Sequence, residues 1–467
     1  MPIARALRAL TLLLLLAVPL VAGGHSVQIT QKPRGLVWGT LSVPVAAGES
    51  VEQIELRVNG VPFATASGRN VTFNVAIGKY IRRLRVRAIG LDSTGRVVGQ
   101  DEMTVNDPQP PFRVRLELPK ALPEEGSVTM FASVLAPRNI PILGIDFYVE
   151  ETLIGTDLTD PYSISFDAAE NSEARYARAV ARARGSLEAN SVAFWGDAVH
   201  EDIEVVVKHI PLSVFGKDRG NLTRDDITLI DSGHEREIDS LVPAQDQPLN
   251  VIMLVDTSES MLNELPVIQQ AAREFARSIV RQNDRIAVVA FHQRVFWLTG
   301  FTSDLTLVDK AIGKLEPRGQ THLYDAVIQM LYELQKMPGR KALVVLSDGM
   351  NFGGEFELDH LVHYARYSGV PIYPIVKNRW LSRFMRFGLG LMEARRFAEI
   401  ARESGASYFV ISDPSELPAV YRSIASELQQ QYIVVFRTES TGADIWHPLA
   451  VQSSRKLNLR VPRGYFP

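Results

Sequence analysis

Two different hydrophobic patterns divide the chain. Between residues 27 and 208, apolar and polar residues alternate in short runs, which is the two-residue period of half-buried β-strands. Such runs occur at Ile54–Val58, Leu84–Ala88, Ile145–Val149 and Tyr176–Ala183. Asn59-Gly60 follows the first run directly and is a dipeptide typical of tight β-hairpins. Because the pattern recurs after about the length of one small sandwich, we predict two all-β domains, at 24–108 and 109–200.

The second all-β domain contains a motif found in other proteins. Val149–Asp157, followed by Asp160-Pro161-Tyr162-Ser163, resembles the hairpin and next strand of bacterial immunoglobulin-like domains. The resemblance implies immunoglobulin-like β-sandwiches in the N-terminal part. Both predicted domains also carry arginine at alternate strand positions, namely Arg83, Arg85, Arg87, Arg178, Arg182 and Arg184. These stripes are either a surface for a polyanion or a solvated strand face, and we favour the second interpretation.

Beyond residue 250 the pattern changes to alternating strands and helices. Val251–Val255 and Ala342–Leu346 are continuous apolar runs, which are typical of strands covered on both faces. Helical spacing of apolar residues occurs at Val267–Val280, Leu305–Leu315, Leu323–Leu334, Ala394–Arg402 and Leu417–Leu428. The alternation predicts a doubly wound, Rossmann-like α/β domain at 248–437. We expect a small β segment before it, at 201–247, and C-terminal β strands after it, at 438–467.

Composition and charge narrow the class of protein. The chain has 467 residues, of which 46% are hydrophobic and 22% are charged, so we expect several globular domains rather than a disordered chain. The formal net charge is −3, which excludes a global basic field of the kind that attracts nucleic acid.

The first residues have the features of an export signal. Arg5 and Arg8 precede an apolar run from Leu10 to Val21, and small residues follow it. This run is shorter than the roughly 20 residues that span a bilayer, and an uncleaved anchor is the alternative. The chain has no cysteine, which excludes disulfides and a lipid-modified cysteine and favours a bacterial envelope. We predict a signal peptide at 1–23 and an exported protein (periplasmic, at the cell surface or secreted) with no membrane span in the mature chain.

Oxygen-bearing side chains follow two of the predicted buried strands. Asp256, Ser258 and Ser260 come directly after the first strand, and Asp348 follows another. Open α/β sheets bind ligands at the carboxyl ends of their strands, so these side chains are expected to converge there. Thr321, at the start of a predicted helix, adds a third hydroxyl. Carboxylate and hydroxyl oxygens suit Mg²⁺ or Mn²⁺, whereas zinc prefers histidine and cysteine.

The order Asp-x-Ser-x-Ser, then threonine, then aspartate resembles the metal-ion-dependent adhesion site of von Willebrand factor A domains. The resemblance implies that Asp256, Ser258, Ser260, Thr321 and Asp348 bind the metal, and that an acidic residue of a protein partner completes its coordination. Asp325 is either a residue behind these ligands or an ordinary first-turn carboxylate of the helix. Residues 205–467 also resemble a group of secreted bacterial A-domain proteins frequent in acidobacteria. This resemblance concerns fold and location only and implies no activity.

The favoured function is non-enzymatic, metal-dependent protein binding, in adhesion or envelope assembly. One alternative is a structural spacer with a non-binding A domain. A second is a hydrolase, but Ser258 lacks the Gly-x-Ser-x-Gly elbow and no histidine stands in an obvious triad order. Residues 377–396 mix arginines with aromatic residues. This segment is either a patch that docks a partner or lies on a membrane surface, or a variable loop and helix whose aromatic side chains pack inward. The partner's identity and the oligomeric state stay open at this stage.

Overall fold

A computed structural model describes most of the chain, in two compact units. The smaller unit takes residues up to 34 together with 40–76 and 85–104, and the larger takes the remaining residues. The predicted signal peptide, the segment 109–112 and most of the basic-aromatic segment (378–388) lie outside the described residues. The described residues are 27–33, 35–108, 113–119, 121–123, 125–136, 141–150, 152–171, 174, 176–183, 187–195, 204–215, 222–244, 247–281, 284–337, 339–377, 389–440 and 445–466.

The first β-sandwich has seven strands in two sheets. The strands are β1 (Val27–Ile29), β2 (Gly39–Ala47), β3 (Gln53–Val58), β4 (Val61–Ala66), β5 (Asn70–Gly78), β6 (Leu84–Leu91) and β7 (Val97–Val105). Their orders are β1-β2-β5 and β4-β3-β6-β7. Alternate residues such as Leu56 and Val86 are fully buried. Asn59 and Gly60, with φ angles of 50° and 80°, form the predicted hairpin turn between β3 and β4.

The second β-sandwich also has seven strands. They are β8 (Arg113–Glu117), β9 (Ser127–Leu135), β10 (Ile142–Val149), β11 (Thr152–Asp157), β12 (Tyr162–Asp167), β13 (Tyr176–Ala183) and β14 (Leu187–Phe194). The sheets β12-β9-β8 and β11-β10-β13-β14 enclose a common core that includes Met130 and Phe147. On the outer face, Arg182 pairs with Asp146 at 2.8 Å and Arg178 lies over the Tyr148 ring. These local contacts agree with a solvated strand face, while Arg184 lies outside the described residues.

Four strands lead into the α/β domain, whose six-stranded sheet is almost entirely parallel. The leading strands are β15 (Glu204–Phe215), β16 (Ile227–Asp231), β17 (His234–Arg236) and β18 (Ser240–Pro243). The domain contains β19 (Leu249–Asp256), α1 (Leu265–Ile279), β20 (Arg285–Phe291), β21 (Val295–Thr302), α2 (Leu305–Ile312), α3 (Leu323–Gln335), β22 (Arg340–Ser347), α4 (Leu358–Ser368), β23 (Ile372–Lys377), α5 (Leu389–Glu403), β24 (Phe409–Ile411) and α6 (Leu417–Gln429). The sheet order is β21-β20-β19-β22-β23-β24, with β21 antiparallel at one edge. The predicted fold class, all-β sandwiches followed by a doubly wound α/β domain, is confirmed.

Helices cover both faces of this sheet because the middle residues of its central strands are apolar on both faces, as in Val251–Val255 of β19. All eight residues of β19 are buried. Its residues Val251, Met253 and Val255 face α1, α2 and α6, while Ile252 and Leu254 face α3 and α4. The sequence patterns did not identify α4 or β21. Only three residues of α4 are buried, so its apolar period is weak, and β21 is an edge strand in which no residue is fully buried.

The last four strands complete a β module begun by β15–β18. These strands are β25 (Tyr432–Ser440), β26 (His447–Ser453), β27 (Asn458–Arg460) and β28 (Gly464–Tyr465). The module contains the sheets β18-β25-β15-β27 and β17-β16-β26-β28. The sequence patterns predicted 201–247 and 438–467 as two separate β segments and placed residues 432–437 in the α/β domain. The structure corrects this division, because β25 pairs with β15 from Tyr432 onward and a shared core includes Leu212 and Phe436.

Two short segments from the N-terminal part of the chain pack on α4 within the larger unit. These segments are residues 35–39 and 77–84. The Tyr80 ring stacks on His363 with the ring centroids 4.4 Å apart, and Trp38 packs against Phe356. Ile81 is buried in the core that α3 and α4 share. Among the described residues, no helix is long and apolar enough to cross a membrane.

Candidate metal centre

The carboxyl edge of the sheet brings together the loops that carry the predicted site residues. β19 and β22 are parallel neighbours, and Val255 pairs with Leu346 in their register. Asp256 therefore ends its strand beside Ser347, and Asp348 follows one residue later. Parallel register thus brings to one edge two carboxylates that are far apart in the sequence.

Asp256 is the most deeply buried of the four predicted ligands whose side chains are described. Its residue is 0% exposed, and its carboxylate accepts hydrogen bonds from the Ser347 hydroxyl at 2.7 Å and the Ser258 amide at 2.8 Å. Burial raises the pKa of the Asp256 carboxyl to about 6, with a further contribution from the nearby charge of Asp348. The hydrogen bonds from Ser347 and Ser258 act in the opposite direction. Sequence patterns missed Ser347, although it directly precedes Asp348 at the end of a buried strand.

The segment after Asp256 turns sharply into a 3₁₀ helix, Glu259–Glu264, that leads into α1. Thr257 is fixed to the neighbouring strand, because its amide and its hydroxyl both donate to the Phe291 carbonyl, at 2.9 and 3.1 Å. Ser258 is also buried, with 4% exposure. The backbone of Ser260 is the second residue of the 3₁₀ helix, but its side chain lies outside the described part of the chain.

Thr321 is buried immediately before α3, one residue ahead of the helix N-cap, His322. Two backbone contacts hold the segment before Thr321 against the Asp256 loop. The Arg318 amide donates to the Thr257 carbonyl at 2.6 Å, and the Glu259 amide donates to the Gly319 carbonyl at 3.4 Å. The backbone segments that carry the five predicted ligands thus meet at one edge of the sheet, and four of these ligands have described side chains.

The loop after Asp348 is anchored to α3. The Asp348 carboxylate accepts from the Met350 amide at 3.1 Å, and the Phe352 amide donates to the Thr321 carbonyl at 2.7 Å. Asp325, on the first turn of α3, accepts from the amides of Glu355 and Phe356 at 2.9 to 3.1 Å. The structure therefore gives Asp325 a local role in holding the loop that begins at Asp348.

A partly buried ion pair lies at the same edge, and sequence patterns did not identify it. Lys377, at the end of β23, is only 6% exposed and its ammonium group contacts the Glu264 carboxylate. Glu264 is the last residue of the 3₁₀ helix that contains Ser260. The pair therefore connects the segment after Asp256 to a third strand of the sheet.

The donor set fits a hard divalent cation. The described side chains at the meeting point offer carboxylate oxygens from Asp256 and Asp348 and hydroxyl oxygens from Ser258 and Thr321. Such all-oxygen sets suit Mg²⁺ or Mn²⁺. The elevated pKa of Asp256 reflects an anionic form that is disfavoured by burial, and a positive ion beside it would offset this cost.

Comparisons with known proteins identify the α/β domain. Residues 251–351 match the family model of the von Willebrand factor type A domain. The chain therefore contains a von Willebrand factor type A domain, as the sequence motifs indicate. A comparison with curated proteins finds no match.

Several solved structures share partial similarity with the chain. The vWF domain of the type V pili tip protein Mfa5 from Porphyromonas gingivalis is 15% identical, over 38% of this chain and 94% of that chain, with a TM-score of 0.32. The conserved hypothetical protein BatB from Bacteroides thetaiotaomicron is 16% identical, over 38% and 98%, with a TM-score of 0.31. A mutant of the PilB minor pilin from Streptococcus sanguinis is 11% identical, over 74% and 85%, with a TM-score of 0.33. Similarity at these identities and TM-scores assigns no function.

Proposed function

We propose that this protein binds Mg²⁺ or Mn²⁺ at the carboxyl edge of its A domain and thereby binds an acidic residue of a protein partner. The ligands in this proposal are Asp256, Ser258, Ser260, Thr321 and Asp348. The role is non-enzymatic, in adhesion or envelope assembly, in a protein exported to the periplasm, the cell surface or the medium.

One observation carries the proposal: the Asp256 carboxylate is fully buried close to a second carboxylate, that of Asp348. Two acids in a partly desolvated crevice are costly unless a positive charge or a proton accompanies them. Neutral oxygen donors surround them, which is the environment in which Mg²⁺ binds through one or two carboxylates.

The residues of the chain have separate tasks in this site. Ser347 and the Ser258 amide orient the Asp256 carboxylate. Asp325 holds the loop that carries Asp348, through the amides of Glu355 and Phe356. When bound, the metal ion supplies an open coordination position for an incoming carboxylate, and the few protein ligands leave room for it.

The test is calorimetric titration of the full mature chain with Mg²⁺ and Mn²⁺, alone and with a glutamate-containing peptide. We expect Asp256→Asn to weaken metal binding by at least about tenfold, because it removes a ligand charge. Asp309→Asn is the matched control, since Asp309 is a partly exposed acid on α2 that pairs with Arg277. Equal metal binding by wild type and Asp256→Asn, or no binding with and without peptide, would overturn the proposal and favour the spacer alternative.

A further inference from the structure

One side of the candidate metal centre is basic. Four residues on two neighbouring loops form this surface, which we call the basic rim: His292, Arg294, Arg318 and His322. His292 and Arg294 follow β20. Arg318 precedes α3, and His322 is the N-cap of that helix. Arg294 and Arg318 are exposed to solvent, and the two histidines are partly exposed.

Backbone hydrogen bonds fix the basic rim to the metal centre. The His322 amide donates to the His292 carbonyl at 2.9 Å, which joins the two loops of the rim. The Arg318 amide donates to the Thr257 carbonyl at 2.6 Å, between Asp256 and Ser258. His322 directly follows Thr321 in the chain. The rim is therefore part of the same rigid edge as the proposed ligands.

The positive groups of the rim lie close enough to influence one another. The pKa of His292 is lowered by partial burial and then by the charges of Arg318, Arg294 and His322. The Nδ1 atom of His292 accepts a hydrogen bond from the Gln293 amide at 2.7 Å, which leaves Nε2–H of the neutral ring as a donor. The rim thus offers both guanidinium groups and a ring N–H to an anion.

Few local acids neutralise the rim. Arg318 pairs with Glu316 at 2.7 Å, but both side chains are more than half exposed, and such pairs are weak and readily exchanged. Within the described ranges, no carboxylate lies within 4 Å of the Arg294 guanidinium. An incoming carboxylate could therefore pair with Arg294 and replace Glu316 as the partner of Arg318.

We propose that the basic rim binds a second carboxylate of the partner, so that the ligand of this A domain is an acidic protein segment with two nearby carboxylates. This inference rests on the proposed function, in which the first carboxylate completes the metal site. Guanidinium groups bind carboxylates through paired, charge-assisted hydrogen bonds, and a positive surface also accelerates the approach of an acidic partner. The rim would thereby distinguish acidic segments from surfaces with a single acidic residue.

The probes are synthetic peptides titrated into the full mature chain with saturating Mg²⁺. One peptide contains a single glutamate among glycines, and three others carry a second glutamate one, two or three positions further on. We expect at least one of the two-glutamate peptides to bind the wild type about fivefold more tightly than the single-glutamate peptide. In the Arg294→Gln/Arg318→Gln variant that advantage should disappear, while Mg²⁺ affinity and single-glutamate binding stay within about twofold of wild type.

The matched control is Arg277→Gln/Arg281→Gln, which removes the same charge from the last turn of α1 and the residues just after it. It should keep the advantage of the two-glutamate peptide. The inference is overturned if no spacing improves binding, or if the advantage persists without Arg294 and Arg318. In either case, single-glutamate binding that disappears with EDTA would still support the proposed function, whereas no EDTA-sensitive binding of any peptide would overturn both.

Discussion

The Ser347 hydroxyl donates a 2.7 Å hydrogen bond to the Oδ2 atom of Asp256, across two parallel strands that are neighbours in the sheet. Both residues are buried, with at most 1% exposure. The same Ser347 oxygen accepts a hydrogen bond from the Gly349 amide at 3.0 Å, in the loop that carries Asp348. Ser347 therefore orients Asp256 and also fixes the start of the Asp348 loop, without being one of the proposed metal ligands.

Ser347→Ala should weaken Mn²⁺ binding about tenfold, because loss of an outer hydrogen bond leaves the ligand carboxylate less well oriented. Calorimetry on the full-length chain measures the change. Ser347→Thr keeps the hydroxyl and should retain most of the affinity, and Ser368→Ala controls for removal of a serine hydroxyl elsewhere. Unchanged Mn²⁺ affinity in Ser347→Ala would show that the hydrogen bond does not prepare the site.

Lys377→Met should destabilise the larger unit by about 3 kcal/mol, because it leaves the Glu264 carboxylate beside a buried site without its cation. We also expect weaker Mn²⁺ binding, since Glu264 ends the 3₁₀ helix that contains Ser260. Thermal unfolding followed by circular dichroism and Mn²⁺ titration are the two measurements.

The double variant Lys377→Met/Glu264→Leu separates the ion pair from the burial of a lone charge. Replacing both partners should recover part of the stability lost in Lys377→Met, because no unpaired carboxylate then remains. If Mn²⁺ binding stays weak in the double variant, the ion pair itself positions the segment after Asp256. Wild-type stability and affinity in Lys377→Met would contradict this role.

The His363 ring predicts a pH dependence of stability. Burial, followed by the nearby charges of Arg366, Arg82 and His360, lowers its pKa to about 4, while Asp359 acts in the opposite direction. The unfolded chain therefore binds this proton more readily than the folded chain. The stability contribution is fully present above about pH 6.5 and is lost as the pH falls towards 4. At pH 5 we expect a loss of about 1 kcal/mol from this partly exposed ring, after allowing for solvent screening.

The control for this pH dependence is His363→Phe, which keeps an aromatic ring against Tyr80 but cannot bind a proton. Urea unfolding of both proteins at pH 7.5 and pH 5 gives the comparison, with the transition of the larger unit followed in each case. The wild type should lose more stability than His363→Phe between the two pH values. Parallel losses would mean that His363 does not titrate between the folded and unfolded states.

Local sequence patterns correctly predicted several elements of the fold. The two-residue period of Ile54–Val58 and the Asn59-Gly60 turn predicted a hairpin that the structure contains. The apolar run that ends at Asp256 predicted a buried central strand, all of whose residues are buried. These predictions succeed because strand period, turn chemistry and burial on both faces depend on residues that are close in the sequence.

Sequence order also placed Asp256 and Asp348 at one edge, because strands of a parallel sheet present their carboxyl ends together. The weak apolar period of α4 and the partly exposed edge strand β21 gave no comparable signal. In α4 and β21, packing against the rest of the sheet determines the structure more than the local hydrophobic pattern does.

Tertiary structure alone decided the contacts between distant segments. It paired β15 with β25 in the C-terminal β module and brought Ser347 to Asp256, Lys377 to Glu264 and Arg318 to Thr257. Each of these contacts depends on strand register and loop path over long sequence separations, which a local hydrophobic period does not encode. The sequence thus determined which strand ends carry the oxygen donors, and the packed sheet determined which side chains hold them and which charges surround them.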